Sequence, residues 1–173
     1  MKDSPIILGI TGASGAIYAK RFLQLAKKKN FAVELIITKM GEAVLKHEAC
    51  ESILQHKKIY RIDDFFAPPA TGSSKYSGMV ILPCSMGTLG KVAAGTSNNL
   101  LIRAADVCLK ENRPLVIVPR EMPFNEIHLE NMLKLKRAGA IIMPASPHFY
   151  KHPKSVEDIV DTVVEKIFVT FHI

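Results

Sequence analysis

Five short apolar runs alternate along the chain with longer segments of helical periodicity. The runs cover residues 6–10, 32–37, 79–82, 115–118 and 140–143. Their apolar positions are continuous rather than alternating, which is typical of strands covered on both faces of a parallel sheet. The helical segments cover residues 16–29, 42–51, 100–111, 126–138 and 156–171. This alternation predicts a three-layer α/β fold, Rossmann-like or flavodoxin-like, with a parallel sheet and right-handed crossovers.

No repeat or linker divides this pattern, so we expect one domain over residues 1–173. One segment fits neither element type, because residues 63–77 are rich in Pro, Gly and Ser. Loops of this length inside a compact domain are uncommon, and they are usually functional or mobile. The segment is therefore predicted to be a long loop with such a role.

Composition narrows the functional classes. The formal charge is +7, but the basic residues are dispersed and lack interleaved aromatic residues. We therefore expect a basic site for an anionic ligand and no nucleic-acid partner.

Three isolated cysteines and six scattered histidines predict neither a disulfide framework nor a metal site. Because no apolar run is long enough to cross a bilayer or to act as a secretory signal, we expect a cytoplasmic protein with no membrane partner.

Three glycines, Gly9, Gly12 and Gly15, lie between the first predicted strand and the helix that follows it. Glycine lets a backbone turn sharply and approach a ligand closely, and the free N–H groups at a helix start favour an anion. Thr11 and Ser14 add hydroxyl groups at the same place. The loop is predicted to hold a phosphate-bearing cofactor, while a tight turn without a ligand is the plainer interpretation.

A nicotinamide dinucleotide is the first cofactor to consider, because the loop resembles the nucleotide loop of extended short-chain dehydrogenases. Two observations argue against it. Lys39 stands near the end of the second strand, where a ribose-binding Asp or Glu is expected, although it could serve a 2′-phosphate. Tyr150 and Lys154 have the spacing of the dehydrogenase pair, but Pro153 prevents them from sharing one helical face.

Polar side chains also follow three later strands, at the sheet edge where open α/β folds bind ligands. The segment Ser85-Met86-Gly87-Thr88 can donate hydroxyl and backbone N–H groups. The pair Arg120-Glu121 could be a plain surface ion pair, but prolines flank it, and Arg can hold phosphate while Glu moves a proton. The third segment covers residues 144–150. Arg103 and Lys110 share one helical face, which is ordinary for a solvated helix.

The chain resembles the UbiX-type flavin prenyltransferases, which belong to the homo-oligomeric flavin-containing proteins. The resemblance runs from Ile6 to the C-terminus. Its motifs are GITGASGA from Gly9, MVILPCS from Met79, NNLL from Asn98, RAADV from Arg103, LKE from Leu109, RPLV from Arg113, PREMPF from Pro119, HLENMLKL from His128 and PHFY from Pro147. An ordered set of this length is far more specific than a glycine-rich loop alone.

The resemblance implies that FMN, not a nicotinamide, is bound. Members of the family join the dimethylallyl group of dimethylallyl monophosphate to reduced FMN, which adds a fourth ring to the isoalloxazine and releases phosphate. The product, prenylated FMN, serves UbiD-type decarboxylases, whereas the transferase itself does not decarboxylate and needs no metal. The family also implies a homododecamer with sites shared between subunits.

By position in these motifs, the resemblance implies three groups of site residues. Those expected to contact FMN are Gly12, Ala13, Ser14, Thr38, Ser85, Met86, Gly87, Thr88 and Arg120. Those expected to hold the substrate phosphate are Arg103, Lys110, Arg120, Tyr150 and Lys166. Those expected to take part in the chemistry are Ser14, near the reacting flavin edge, and the carboxylates Glu48 and Glu121.

Lys166 departs from the family pattern, because relatives carry an Arg on the last helix at this place. Lys keeps the charge but loses the two-pronged geometry of the guanidinium group. The resemblance therefore leaves open weaker substrate binding, or a preference between the monophosphate and the diphosphate.

Two other functions are compatible with the same wider fold. A flavin-dependent cysteine-type decarboxylase would carry a Pro-x-Met-Asn segment, whereas this chain reads Pro119-Arg-Glu-Met-Pro123 at the comparable place. A non-catalytic FMN carrier for a decarboxylase partner would bind FMN tightly without transferring a prenyl group.

Overall fold

The sheet consists of six strands that all run parallel. The strands are β1 (Ile6–Ile10), β2 (Val33–Ile37), β3 (Ile59–Tyr60), β4 (Gly78–Cys84), β5 (Leu115–Pro119) and β6 (Ile141–Ile142). The computed structural model describes residues 4–173, so the first three residues of the expected domain lie outside it. The strand order β3-β2-β1-β4-β5-β6 is that of the Rossmann fold. The predicted parallel α/β fold is confirmed, and the order selects the Rossmann-like form.

Helices cover both faces of the sheet. They are α1 (Ala16–Lys28), α2 (Lys39–His47), α3 (Met86–Ala93), α4 (Leu100–Lys110), α5 (Glu126–Arg137) and α6 (Val156–Thr170). On one face, α1 and α6 share an apolar core in which the rings of Phe22 and Phe168 stack at a centroid distance of 4.7 Å. On the other face, Leu101 of α4 belongs to a second core with Ile81 and Ile117. Within residues 4–173, no helix combines the length and apolar character needed to span a bilayer.

The direction of the chain changes at β1, which creates a crevice. Ile6 of β1 pairs with Val33 of β2 on one side and with Gly78 of β4 on the other. The connection after β1 therefore leads to one half of the sheet, and the connection into β4 leads to the other half. In open α/β sheets, ligands bind in the crevice at the carboxyl ends of the strands where the order reverses in this way.

Helix α3 (Met86–Ala93) was not among the predicted helical segments. Its two glycines, Gly87 and Gly90, weaken the helical signal in the sequence. The helix forms because Ser85 caps it: the Ser85 hydroxyl oxygen accepts a hydrogen bond from the Thr88 N–H at 3.3 Å.

Two smaller differences lie in the first half of the chain. Strand β3 has only two residues, neither of them fully buried, so it lacks the apolar run that marks the other predicted strands. Helix α2 begins three residues earlier than predicted and ends at His47. Ala49 then takes a left-handed conformation with φ of 52°, which ends the helix before residue 51.

The predicted loop over 63–77 is confirmed, and side chains fasten it to the rest of the fold. The Tyr76 hydroxyl donates to the Glu34 carboxylate on β2 at 2.6 Å. The Arg103 Nε on α4 donates to the Ala70 carbonyl oxygen at 3.1 Å. The second half of the loop is therefore held against both β2 and α4.

Candidate active site

A cavity of about 430 Å³ lies at the carboxyl ends of β1, β2 and β4. Five of the residues predicted to contact FMN line it, namely Gly12, Thr38, Ser85, Gly87 and Thr88. Its remaining lining comes from Lys39, Met40, Ile62, Lys91, Asn99, Leu101 and Ile102. The cavity therefore occupies the crevice at which the strand order reverses.

A larger open groove of about 740 Å³ lies between α1 and the segment over 52–58. Phe31, Val33 and Ile53 contribute apolar surface to it, and Lys27 and Lys57 are among its basic residues. None of the predicted site residues lines this groove, and it includes no strand carboxyl end. The smaller cavity is therefore the candidate site.

The backbone at Gly12 forms part of the cavity wall without a side chain. A Cβ atom placed there would lie 2.7 Å from the Met40 Cβ, which is closer than such atoms approach in proteins. Glycine at this position lets the loop after β1 pass close to the start of α2 and leaves the wall free for a ligand.

The hydroxyl of Thr11 connects β1 to the chain after β4. It donates to the Pro83 carbonyl oxygen at 2.8 Å and accepts from the Ser85 N–H at 2.8 Å. Thr11 is almost completely buried. The expectation that this hydroxyl meets the cofactor is therefore corrected, because its hydrogen bonds join two parts of the protein.

Two helix N-termini face the cavity. Thr38 caps α2 by accepting the Gly41 N–H at 3.0 Å, and Ser85 caps α3. Helix N-termini carry partial positive charge and favour anions. Lys39 and Lys91 add two full positive charges to the same lining. This end of the cavity suits a phosphate group.

The N-terminus of α1, in contrast, already holds an anion that belongs to the chain. The N–H groups of Gly15 and Ala16 donate to the Glu48 carboxylate at 3.0 and 2.7 Å. Gly15 has φ of 107°, a left-handed conformation that favours glycine and turns both N–H groups inward. The predicted phosphate cradle at this helix is therefore filled by Glu48, while α2 and α3 remain open to a ligand.

Hydrogen bonding sets the charge of Glu48. Partial burial raises the pKa of its carboxyl group, but hydrogen bonds from the Ser14 hydroxyl and from the Ala16 and Gly15 N–H groups outweigh this effect, and Arg120 adds a favourable charge. The pKa of Glu48 therefore lies below its ordinary value. At neutral pH, Glu48 is an ionised acceptor that orients the Ser14 hydroxyl.

Arg120 completes this group from the end of β5. Its Nε donates to the Ser14 carbonyl oxygen at 3.1 Å, which leaves its terminal nitrogens available for another anion. Glu121 follows on an exposed loop, where its carboxylate accepts the Met122 N–H at 3.1 Å. Ser14, Glu48 and Arg120 thus lie together, Glu121 follows Arg120 in the chain, and none of the four lines the cavity.

Ala13 and Met86 lie within the predicted flavin segments, but their side chains are buried. Met86 packs in the core that contains Ile81 and Leu101. Neither Ala13 nor Met86 lines the cavity.

Arg103 and Lys110 lie away from the cavity of their own chain. The Arg103 guanidinium pairs with Asp106 at 2.9 Å as well as holding the loop after β3. Lys110 pairs with Glu111 at the end of α4, just before β5 begins. Lys110 is therefore at the amino edge of the sheet, opposite the cavity.

Lys166 and Tyr150 occupy two other surfaces. Lys166 is exposed on α6, about 15 Å along the helix from Val156. Helix α6 runs toward the amino edge, since Phe171 lies against Gly78 at the start of β4. Tyr150 is 73% exposed on the segment between β6 and α6. Neither residue lines the cavity of the same chain.

Among residues 4–173, no group of three or more His, Cys, Asp or Glu side chains is arranged to hold a metal ion. The cavity residues that sequence reasoning missed include Ile62, Lys91 and Ile102. Ile62 precedes the long loop, and Lys91 lies on the helix that the pattern did not predict. Asn99, by contrast, lies in a motif of the resemblance, which is a signal that could have placed it here.

The family model described as Flavoprotein matches residues 1–168. The flavin prenyltransferase UbiX of Methanocaldococcus jannaschii is 51% identical over 166 residues, which cover 94% of this chain and 90% of that protein. A solved structure of AnUbiX (PadA1) in complex with FMN and dimethylallyl pyrophosphate has a TM-score of 0.94 at 38% identity, over 99% of this chain and 93% of the other. A dodecameric FMN-dependent UbiX-like decarboxylase from Escherichia coli O157:H7 has a TM-score of 0.92 at 40% identity, over 98% and 95% of the two chains.

Proposed function

Since the chain belongs to the UbiX-type flavin prenyltransferases of the flavoprotein family, we propose that its single flavin-binding domain joins the dimethylallyl group of dimethylallyl monophosphate to reduced FMN. The allylic carbon–oxygen bond breaks, phosphate leaves with the bonding electrons, and reduced FMN supplies the electrons of the new bonds. The products are phosphate and FMN enlarged by one five-carbon unit, which serves a UbiD-type decarboxylase. We place the reaction in the cytoplasm, where flavins and prenyl phosphates are made.

The observation that carries this proposal is that Ser14, Glu48 and Arg120 meet on the loop that begins at Gly12, and Gly12 lines the cavity. The cavity offers the capped starts of α2 and α3 and two lysines to the phosphate of FMN. The bare backbone at Gly12 leaves room for the rest of the cofactor beside β1. The residues present therefore fit FMN, with Thr38 and the segment over 85–88 at its phosphate.

The Ser14–Glu48–Arg120 group supports the chemistry at the other end of the cofactor. Glu48 is ionised and its carboxylate is hydrogen-bonded to the Ser14 hydroxyl, and we assign to this pair the removal of a proton released during bond formation. Arg120 can bind the leaving phosphate through its free terminal nitrogens. Glu121, which follows Arg120, is assigned to proton transfer at the phosphate.

The remaining phosphate residues require more than one copy of the chain. Arg103, Lys110 and Lys166 do not line the cavity of their own chain, and we assign them to the cavity of a neighbouring copy. Tyr150 lies on the segment after β6, and the Ala145 N–H of this segment donates to the Pro119 carbonyl oxygen next to Arg120. We therefore assign the substrate phosphate to a site formed between subunits of a homododecamer. The dodecameric assembly of the solved E. coli neighbour supports this arrangement.

Decarboxylation is the second candidate function, because that E. coli neighbour is described as an FMN-dependent decarboxylase. The Ser14–Glu48–Arg120 group favours prenyl transfer with phosphate as the leaving group, since an arginine and an ionised carboxylate do not by themselves provide for loss of CO2. A non-catalytic FMN carrier remains the third hypothesis, and only an assay of turnover separates it from the transferase.

Anaerobic mixing of the protein with reduced FMN and dimethylallyl monophosphate tests the proposal. Mass spectrometry of the extracted flavin should show FMN plus one five-carbon unit, and a parallel reaction with the diphosphate measures the preference between the two forms. Heat-denatured protein is the control. Unmodified flavin with folded, FMN-bound protein would instead favour the carrier, and release of CO2 from an aromatic or cysteine-type acid by the protein alone would favour the decarboxylase.

A further inference from the structure

His148 and Tyr150 form a stacked pair on the segment between β6 and α6. Their ring centroids are 4.1 Å apart, and the ring planes differ by 16°. Apart from the face that stacks on His148, the Tyr150 side chain is exposed. Exposed tyrosines sample several rotamers, so a flat ring packed against one face restricts the directions in which the Tyr150 hydroxyl can point.

The backbone of this segment is fastened beside the end of β5. The Ala145 N–H donates to the Pro119 carbonyl oxygen at 3.1 Å, directly before Arg120. Further along, the His152 N–H donates to the Phe149 carbonyl oxygen at 2.9 Å, which closes a turn around Tyr150. The stack therefore stands on a fixed piece of backbone next to the strand end that carries Arg120.

The surroundings of His148 indicate that stacking is its main directional contact. Its Nδ1 atom is buried, and within residues 4–173 it has no hydrogen-bond partner. Buried polar atoms are normally paired, so an unpaired one needs an explanation. Because Nδ1 makes no hydrogen bond within the described part of the chain, the stack on Tyr150 is the directional contact that the structure shows for the His148 ring.

We propose that His148 is a positioning residue that holds the Tyr150 ring in the orientation that contacts the substrate phosphate. This inference rests on the proposed function of Tyr150 as a phosphate contact. The stack is present before the substrate arrives. It therefore lowers the entropic cost of fixing the Tyr150 side chain when the substrate binds. Contacts of this kind act on substrate affinity and leave the chemical step unchanged.

Steady-state kinetics of His148→Ala and His148→Phe test the inference. We expect His148→Ala to raise the KM for dimethylallyl monophosphate about fivefold, from the usual strength of an aromatic pair, with kcat and FMN affinity unchanged. His148→Phe should restore KM, because a flat ring of similar size keeps the stack. A KM that stays high in His148→Phe, or a fall in kcat with KM unchanged, would overturn the proposal.

A second comparison separates positioning from a general structural effect. In a Tyr150→Ala background, His148→Ala should cause no further change in KM, since the ring that it positions is gone. An equal fivefold rise in that background would overturn the proposal, because His148 would then act without Tyr150.

NMR of the FMN-bound protein with ring-labelled tyrosine supplies a readout that needs no activity. The Tyr150 ring signals should lie upfield because of the neighbouring imidazole, move downfield in His148→Ala, and remain upfield in His148→Phe. Calorimetric titration with dimethylallyl monophosphate then measures substrate binding without turnover. Normal stacking and a binding loss in His148→Ala, with no prenylated flavin from the wild type, would reject the proposed reaction while keeping the positioning role. Absence of the upfield shift or of the binding loss would reject the positioning role itself.

Discussion

Glu48 accepts a 2.7 Å hydrogen bond from the backbone N–H of Ala16, although 32 positions separate the two residues in the sequence. Through this contact, a carboxylate from the end of α2 occupies the positive start of α1. The anion expected at this helix is thus a fixed part of the protein, and the same carboxylate orients the Ser14 hydroxyl. Glu48 consequently links the stability of the loop after β1 to the chemistry of the site.

Replacing Glu48 should lower both the stability of the fold and the activity of the site. In Glu48→Gln the side chain loses its charge and can no longer accept from Gly15, Ala16 and Ser14 together, so we expect the free energy of unfolding to fall by about 1–2 kcal/mol. Denaturant unfolding measures the loss, and the anaerobic flavin assay should show a strong fall in kcat. Glu42→Gln, an exposed change on the same helix, is the matched control. Full activity of Glu48→Gln would remove Glu48 from the mechanism.

The contribution of Glu48 to stability should depend on pH in a defined direction. The pKa of Glu48 lies below its ordinary value of 4.5, so the folded state favours the ionised form. The stabilisation is fully present above that ordinary value and is lost as pH falls through the lowered folded pKa. The difference in unfolding free energy between the wild type and Glu48→Gln should therefore be constant from pH 7 to about pH 5 and shrink at lower pH. A difference that grows on acidification would contradict the assigned hydrogen bonds.

The wall of the cavity can be probed at Gly87, where an added Cβ meets no atom within 4 Å. Gly87→Ala should leave the free energy of unfolding unchanged or raise it by up to about 1 kcal/mol, because alanine favours a helix. It should weaken FMN binding about tenfold if the phosphate packs against this backbone, as measured by flavin fluorescence titration. Gly90→Ala lies on the same helix outside the cavity lining, and its Cβ would make only an ordinary 3.6 Å contact with Asn131. Equal FMN affinity in both variants would place the phosphate elsewhere.

Lys39 and Lys91 should select ligands that carry a phosphate. Both line the cavity near the capped starts of α2 and α3, so Lys39→Gln and Lys91→Gln should each weaken FMN binding about fivefold at low salt, the effect of one exposed charge contact. The loss should decrease as salt is added. Riboflavin, which lacks the phosphate, should bind equally well to all three proteins. Lys57→Gln, in the separate groove beside α1, controls for net charge.

Lys166→Arg tests the departure from the family pattern. Arginine would offer two parallel hydrogen bonds to a phosphate where lysine offers a single charge, so we expect the KM for dimethylallyl monophosphate to fall about threefold with FMN affinity unchanged. The residue is exposed, and thermal unfolding should not change. Lys134→Arg on α5 provides a matched exposed control. An unchanged KM would indicate that Lys166 does not contact the substrate phosphate.

The sequence predicted the parts of the fold whose signals are local. Strands β1 and β5 follow directly from apolar runs, because each is buried on both faces. The same logic pointed to Ser85, which follows a predicted strand, whereas Thr38 came from the resemblance. Helix α3 was missed because Gly87 and Gly90 conceal its periodicity, while its cap and its packing against neighbouring helices stabilise it.

The rest of the site depends on contacts between residues that are far apart in the sequence, and local patterns do not predict such contacts. The contact between Glu48 and the start of α1 joins two helices, so only the resemblance pointed to Glu48. Arg103 and Lys110 share a helical spacing that carries no information about which cavity they face. In the folded chain, neither residue lines the cavity.

The long loop over 63–77 divides the chain into two halves, with β1 to β3 before it and β4 to β6 after it. The halves are joined along β1 and β4, whose paired residues run from Ile6 with Gly78 to Gly9 with Ile81. Phe66 is fully exposed near the start of the loop, where the chain could be cut without breaking any strand pairing. The molecule is therefore suited to fragment complementation. The first half contributes Thr38 and the second half contributes Ser85 to one cavity. FMN binding would therefore report when two separately made pieces have reassembled.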